Sequence, residues 1–172
     1  GAKPEIVRSN VPTVINIAVG DPISHPPEEN IFSVIVTASL ESRAQLQFAL
    51  EQGAERIGVL AQHDAWGMPR YEPLMEAMAE AGVEPVANEK IADDANDATP
   101  QVLRLKQAGA DAVIMLTRAK AAAVTLRDAT KVGFQPDWWI AQTAVQDLDV
   151  FEDQVGIPGA LENFVTIAYT KY

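Results

Sequence analysis

The chain has 172 residues, 48% hydrophobic and 22% charged, with a formal net charge of −11 and no cysteine. That length holds one domain with a real core and not two full ones, and the missing thiols exclude a disulfide framework, thiol catalysis and thiolate metal sites. The acidic balance argues against a nucleic-acid partner, whose phosphates require a basic face, and no apolar run approaches membrane-spanning length.

Residues 1–13 are polar with two prolines and read as an extended entry segment; Gly1 has the look of a processing or tag scar, so a leader removed earlier is compatible with it. Residues 14–19 form a short apolar strand. Residues 20–30, with Asp21-Pro22 and Pro26-Pro27, read as an irregular loop, and 31–37 as a second strand. Ser39 or Ser42 is placed to cap a helix with Leu46, Ala49, Leu50 and Gly53 on one face. Strand–helix units follow. Residues 56–61 are a strand and 62–67 a loop. Met68, Tyr71, Met75 and Met78 mark the inner face of a helix that ends at Gly82, a core stripe rather than a cofactor box. Residues 84–91 are a strand and 92–98 an acidic loop.

The pattern is clearest from Asp97 to Leu116. Thr99 suits an N-cap and Pro100 the first helical position, where a missing N–H costs nothing. Val102, Leu105 and Ala108 recur at helical spacing, and Gly109 supplies a left-handed stop. Residues 112–116 are an uncharged run, as expected of a strand covered on both faces. After a loop at 117–120, Ala122, Leu126 and Ala129 mark another helix, stopped by Gly133. Residues 138–141 form a strand, 142–147 its exit loop, then a short helix to about 154 and a last strand at 160–168. Helices between successive strands require parallel pairing with right-handed crossovers. The result is a layered α/β domain whose ligand site belongs at the carboxyl ends of its strands.

Motifs for known chemistry are mostly missing. There is no Gly-x-Gly-x-x-Gly after a strand, no Gly-x4-Gly-Lys-Ser/Thr, and no Gly-x-Ser-x-Gly elbow. His63-Asp64 is a candidate catalytic or metal pair, but adjacent residues on an extended segment point opposite ways and cannot easily converge on one ion, so a solvated loop is the plainer reading. Asp93-Asp94, with Asp64 and Lys120 at other strand ends, resembles the acidic pocket of a phosphoacceptor domain, against the plainer reading of a solvated acidic loop. No catalytic residue, metal site or cofactor is assigned.

The strand-exit loops carry more. Gln62-His-Asp-Ala-Trp-Gly67 places Trp66 where a ligand would lie. Thr117-Arg118 and Gln142-Thr143 end two further strands. An indole wall, a guanidinium and small hydroxyl or amide groups suit a small organic acid: Arg grips a carboxylate bidentately and Trp supplies apolar or cation–π contact. The alternative is that Trp66 caps the core and Arg118 makes a surface ion pair.

The stretch Asp97-x-Thr-x-Gln-Val-Leu-x-Leu-Lys-x-Ala-Gly-Ala-Asp-Ala-Val is similar to the pattern of type I periplasmic solute-binding proteins of the branched-chain amino-acid (Leu/Ile/Val-binding) family. Three more stretches agree. Residues 57–67 resemble the family's strand ending in an aromatic–Gly pair, residues 126–133 its helix end, and residues 160–166 its last strand before the chain crosses back. The resemblance covers roughly residues 11–170.

It implies a three-layer Rossmann-like (flavodoxin-like) α/β lobe with a mostly parallel sheet. The chain would be the second lobe of a two-lobed protein about twice as long. Residues 1–36 would then be the crossover from a first lobe, 37–168 the second ligand-binding lobe, and 169–172 the start of the return crossover. The missing N-terminal lobe would supply the other half of the site, and the chain reads as a fragment. The implied function is the solute-binding component of an ABC transporter, periplasmic or extracellular, with the transporter's membrane subunits as partners. A ligand-sensing regulatory or receptor domain of the same fold is the alternative. Carried over residue by residue, Trp66 stands where the family has an aromatic ligand-wall residue, and Arg118 or Thr117 falls where a second aromatic often lies. Gln142 or Thr143 stands where amino-acid binders place an acid for the ligand's ammonium. Asp64 completes the candidate set. With no acid at 142 or 143, a carboxylate, amide or aromatic acid is favoured over an α-amino acid, because an unpaired buried ammonium is costly. An isolated lobe would expose apolar surface and is expected to pair as a homodimer.

Overall fold

The computed structural model describes residues 2–16, 18–142 and 147–167. Its centre is a five-stranded, all-parallel sheet in the order β4-β3-β5-β6-β7, formed by β3 (Ile57–Gln62), β4 (Ala87–Ile91), β5 (Ala112–Leu116), β6 (Trp138–Ala141) and β7 (Phe164–Thr166). Taken in chain order within the sheet this is second, first, third, fourth, fifth, the flavodoxin-like order. The direction of winding reverses between β3 and β5, which opens a crevice at their carboxyl ends.

Strand alternation explains the layers. Ile57, Val59 and Ala61 of β3, Ala112, Ile114 and Leu116 of β5, and Ile140 of β6 pack on Leu46 and Ala49 of α3 (Ala38–Glu51) and on Leu74, Ala77 and Met78 of α4 (Met68–Glu80). Leu60, Val113, Met115, Trp139 and Ala141 face the other way, onto α5 (Thr99–Gln107), α6 (Ala119–Lys131) and α7 (Leu148–Val155). A strand that is apolar on both faces can only sit between two helical layers.

The apolar runs at 112–116 and 138–141 become strands with the expected bounds. Gly109 and Gly133 stop α5 and α6 with φ of 67° and 63°. Other expectations are corrected. The entry segment is not extended: Lys3–Ser9 is a helix, α1, with Pro4 within its first two positions, where the imino nitrogen breaks no bond. The loop at 20–30 holds a one-turn helix, α2 (Asp21–Ser24). The first two strands shrink to β1 (Thr13–Ile15) and β2 (Ile31–Ser33), a separate parallel pair. Neither Ser39 nor Ser42 caps α3. Thr37 stands there, while Ser39 donates to Asp21 Oδ1 at 2.6 Å and buried Ser42 donates to the Arg70 carbonyl at 2.8 Å. Leu50 lies on the exposed side of α3 and Gly53 beyond its end. On α4 the fully buried apolar residues are Leu74, Ala77 and Met78, with Tyr71 and Met75 only partly covered. Ala98, not Thr99, is the N-cap of α5; Asp128 of α6 accepts its N–H at 2.9 Å. Of the described residues 160–167, only Phe164–Thr166 pair as a strand.

Candidate functional site

Each helix that follows a strand begins at the carboxyl edge of the sheet, so the β3, β4, β5 and β6 exits converge there. Gln62, the last residue of β3, lies between the exits on either side. It is fully buried. Its Nε2 donates to Asp93 Oδ1 at 2.8 Å and to Asp64 Oδ2 at 3.3 Å, and its Oε1 accepts the Arg118 backbone N–H. One amide thus ties the β3, β4 and β5 exits together.

The loop after β3 is built by Asp64. Its Oδ1 accepts the N–H groups of Trp66 and Gly67 at 2.9 and 2.8 Å, a side-chain turn typical of Asp. Gly67 has an ordinary φ of −79°. It is required instead by close approach, because a Cβ there would lie 2.0 Å from the Gln62 carbonyl oxygen. The turn presents Trp66, half-buried, beside two guanidinium groups: Arg70 at 4.1 Å and Arg118 at 5.1 Å from the ring centroid.

The two cations differ in setting. Arg118 is 43% exposed and lies 3.4 Å from Asp64 and 3.2 Å from Asp93. The hydrogen bond from Gln62, and then that from Arg118, holds the Asp93 carboxyl below the ordinary aspartate value of 3.8. Arg70 is buried. Its Nε meets Glu41 Oε2 at 3.0 Å and Gln142 Oε1 at 3.1 Å, and its Nη1 donates to the Trp66 carbonyl at 2.8 Å. Glu41 is itself 2% exposed.

The sequence-derived residues Asp64, Trp66 and Arg118 therefore meet at one point, and Gln142 joins them through Arg70. Thr117 is buried at the β5 exit, and among the described residues neither its hydroxyl nor Gln142 Nε2 finds a hydrogen-bond partner. Thr143 lies outside the described residues. His63 is exposed at the loop surface while Asp64 turns inward to build the loop. Asp93 pairs with Gln62 and Arg118, whereas Lys120 donates to the Asp94 backbone carbonyl at 3.2 Å. Among the described residues, no group of three His, Cys, Asp or Glu side chains could hold a metal, and no helix is long and apolar enough to cross a membrane.

Sequence reasoning passed over Arg70, Glu41 and Gln62. Arg70 carries a local signal, four residues after Trp66 at the start of a helix, where side chains share a face. Glu41 carries none, since it lies 29 residues before Arg70 and only the packing of α3 on α4 joins them.

A family model described as periplasmic binding protein matches residues 3–170. The chain belongs to that family. Solved structures agree on the fold of this periplasmic binding protein chain. A branched-chain amino acid ABC transporter protein from Thermus thermophilus, with bound valine, is 22% identical at a TM-score of 0.81, over 96% of this chain and 42% of that one. A leucine binding protein from Thermotoga maritima is 16% identical at 0.79, over 98% and 47%. A fatty acid ABC transporter substrate-binding protein from Thermomonospora curvata is 15% identical at 0.72, over 96% and 42%. The chain spans less than half the length of these structures. No curated protein matches it.

Proposed function

We propose that the chain is the second ligand-binding lobe of an exported solute-binding protein that delivers a small solute to an ABC transporter. The solute is trapped when this lobe closes on the N-terminal lobe. Closure is a population shift, driven by contacts that only the closed form makes. No bond is made or broken in this reading.

The observation that carries it is Trp66, at the point where the sheet changes direction, with a buried guanidinium behind it and a half-exposed one beside it. An apolar body packs on the indole, and the outer guanidinium of Arg118 meets a carboxylate. The described part of the β6 exit presents an amide, Gln142, rather than an acid. The geometry adds a second reading for the other end of the solute. Asp64 and Asp93 outnumber Arg118 two to one at the mouth. This supports an ammonium partner there, which admits a zwitterionic amino acid as well as a simple or aromatic acid.

The test is thermal stabilisation of the two-lobed protein by valine, leucine, benzoate and octanoate. A ligand bound only by the folded state raises the midpoint. At least one of the four is expected to do so, and Trp66→Ala to abolish the shift. Arg118→Ala should weaken every carboxylate by about 10-fold or more, from the loss of a charge-assisted pair. Asp93→Asn should weaken valine and leucine selectively. Stabilisation by none of the four, or a shift unchanged in Trp66→Ala, contradicts the reading.

A further inference from the structure

The Trp66 indole stands on a loop, yet a ligand wall has to be held still. Asp64 fixes the backbone N–H of Trp66, and nothing in that bond orients the ring. Arg118 reaches the ring at 5.1 Å, but it is 43% exposed and its acidic partners are also open to solvent. Arg70 is different in every respect. It lies 4.1 Å from the ring centroid, within stacking range. Its Nη1 holds the Trp66 carbonyl at 2.8 Å. Its Nε is anchored on Glu41 and Gln142 at 3.0 and 3.1 Å, and its own carbonyl accepts Ser42 Oγ at 2.8 Å.

Burial makes this anchor stiff. The side chains of Arg70 and Glu41 are 7% and 0% exposed. Charges taken out of water this far persist only when paired in good geometry, and such pairs commonly fix one arrangement rather than add stability. The pair also spans elements. Glu41 lies on α3, Arg70 on α4 and Gln142 at the β6 exit, whose carbonyl accepts Thr166 Oγ1 of β7 at 2.9 Å. A planar fork with several donors is needed to serve Glu41, Gln142, the Trp66 carbonyl and the ring face together; a lysine ammonium lacks that geometry.

We propose that Arg70, locked by Glu41 and Gln142, is a positioning residue that presets the Trp66 indole before any solute arrives. The role is one of pre-organisation, so the cost of ordering the ring is met in folding rather than in binding. The inference rests on Trp66 being the ligand wall, but its test needs no ligand.

The chain contains three tryptophans, and Trp138 and Trp139 serve as controls. ¹⁵N relaxation of these three indole N–H groups in the two-lobed protein, assigned by single Trp→Phe substitutions, reads their order separately. Removing Arg70 alone takes a partner from a fully buried carboxylate and can unfold the chain. The main variant is therefore Arg70→Met with Glu41→Gln, alongside Arg70→Lys. In the parent, all three indoles are expected at order parameters near 0.85. In the double variant Trp66 alone should fall below about 0.6, with Arg70→Lys between the two. A Trp66 indole as ordered in the double variant as in the parent overturns the proposal. So does equal loosening of all three indoles, which would make Arg70 a general structural residue. A Trp66→Ala protein that keeps its solute affinity would instead overturn the ligand-wall reading and leave the positioning result standing.

Discussion

Asp93 and Gly67 show how much single residues are constrained at this edge. The Asp93 carboxyl is held below 3.8 mainly by Gln62, then by Arg118. A depressed folded-state pKa means that its contribution is fully present above the ordinary value and is lost as pH falls through the lower one. In a ¹³C carboxyl titration Asp93 should therefore titrate below 3.8, and Gln62→Leu should move it upward; a titration unaffected by that change would contradict the assigned cause. Gly67 is held by contact rather than by φ. Gly67→Ala forces a methyl against the Gln62 carbonyl and should cost about 1–3 kcal/mol through overpacking, measured by urea unfolding. A loss under about 0.5 kcal/mol, the range of ordinary surface changes, would mean that the loop shifts freely.

At the scale of elements, what was legible in the sequence followed burial. β5 and β6 were readable to the residue because both faces are covered, so composition alone marks them. Asp64, Trp66 and Arg118 could be placed at the carboxyl edge because strands separated by helices run parallel, so their exit loops lie on one edge of the sheet. The start of α5 was not. Thr99 and Pro100 carry a strong local signal, yet the cap shifts by one residue because Asp128, 30 positions away, holds the Ala98 N–H. Glu41 was hidden for the same reason, and α1 because Pro4 reads equally as an extended residue or a helix start. Asp128 is buried and also meets Lys131 at 2.9 Å. Asp128→Ala leaves a buried N–H without its acceptor and should cost about 1–3 kcal/mol. The midpoint of thermal unfolding should fall by several degrees. An unchanged midpoint would show that α5 starts without this staple.

Over the whole molecule, two surfaces stand open on the same chain. The carboxyl edge holds Trp66 and its paired charges. The short β1–β2 pair leaves Val14 and Phe32 at 62% and 52% exposure, with Val11 and Val34 also uncovered. Apolar exposure of this kind is where a partner surface is expected. The most direct measurement is a ¹H–¹⁵N map of the two-lobed protein, titrated with whichever of the four solutes raises the midpoint most. Shifts in this lobe should concentrate in loops 62–67, 92–94 and 117–118 and at Gln142. Shifts confined to the opposite edge, in the roughly 300 Å³ cavity bordered by Phe134, Trp139 and Pro158, with Trp66 unmoved, would contradict the account.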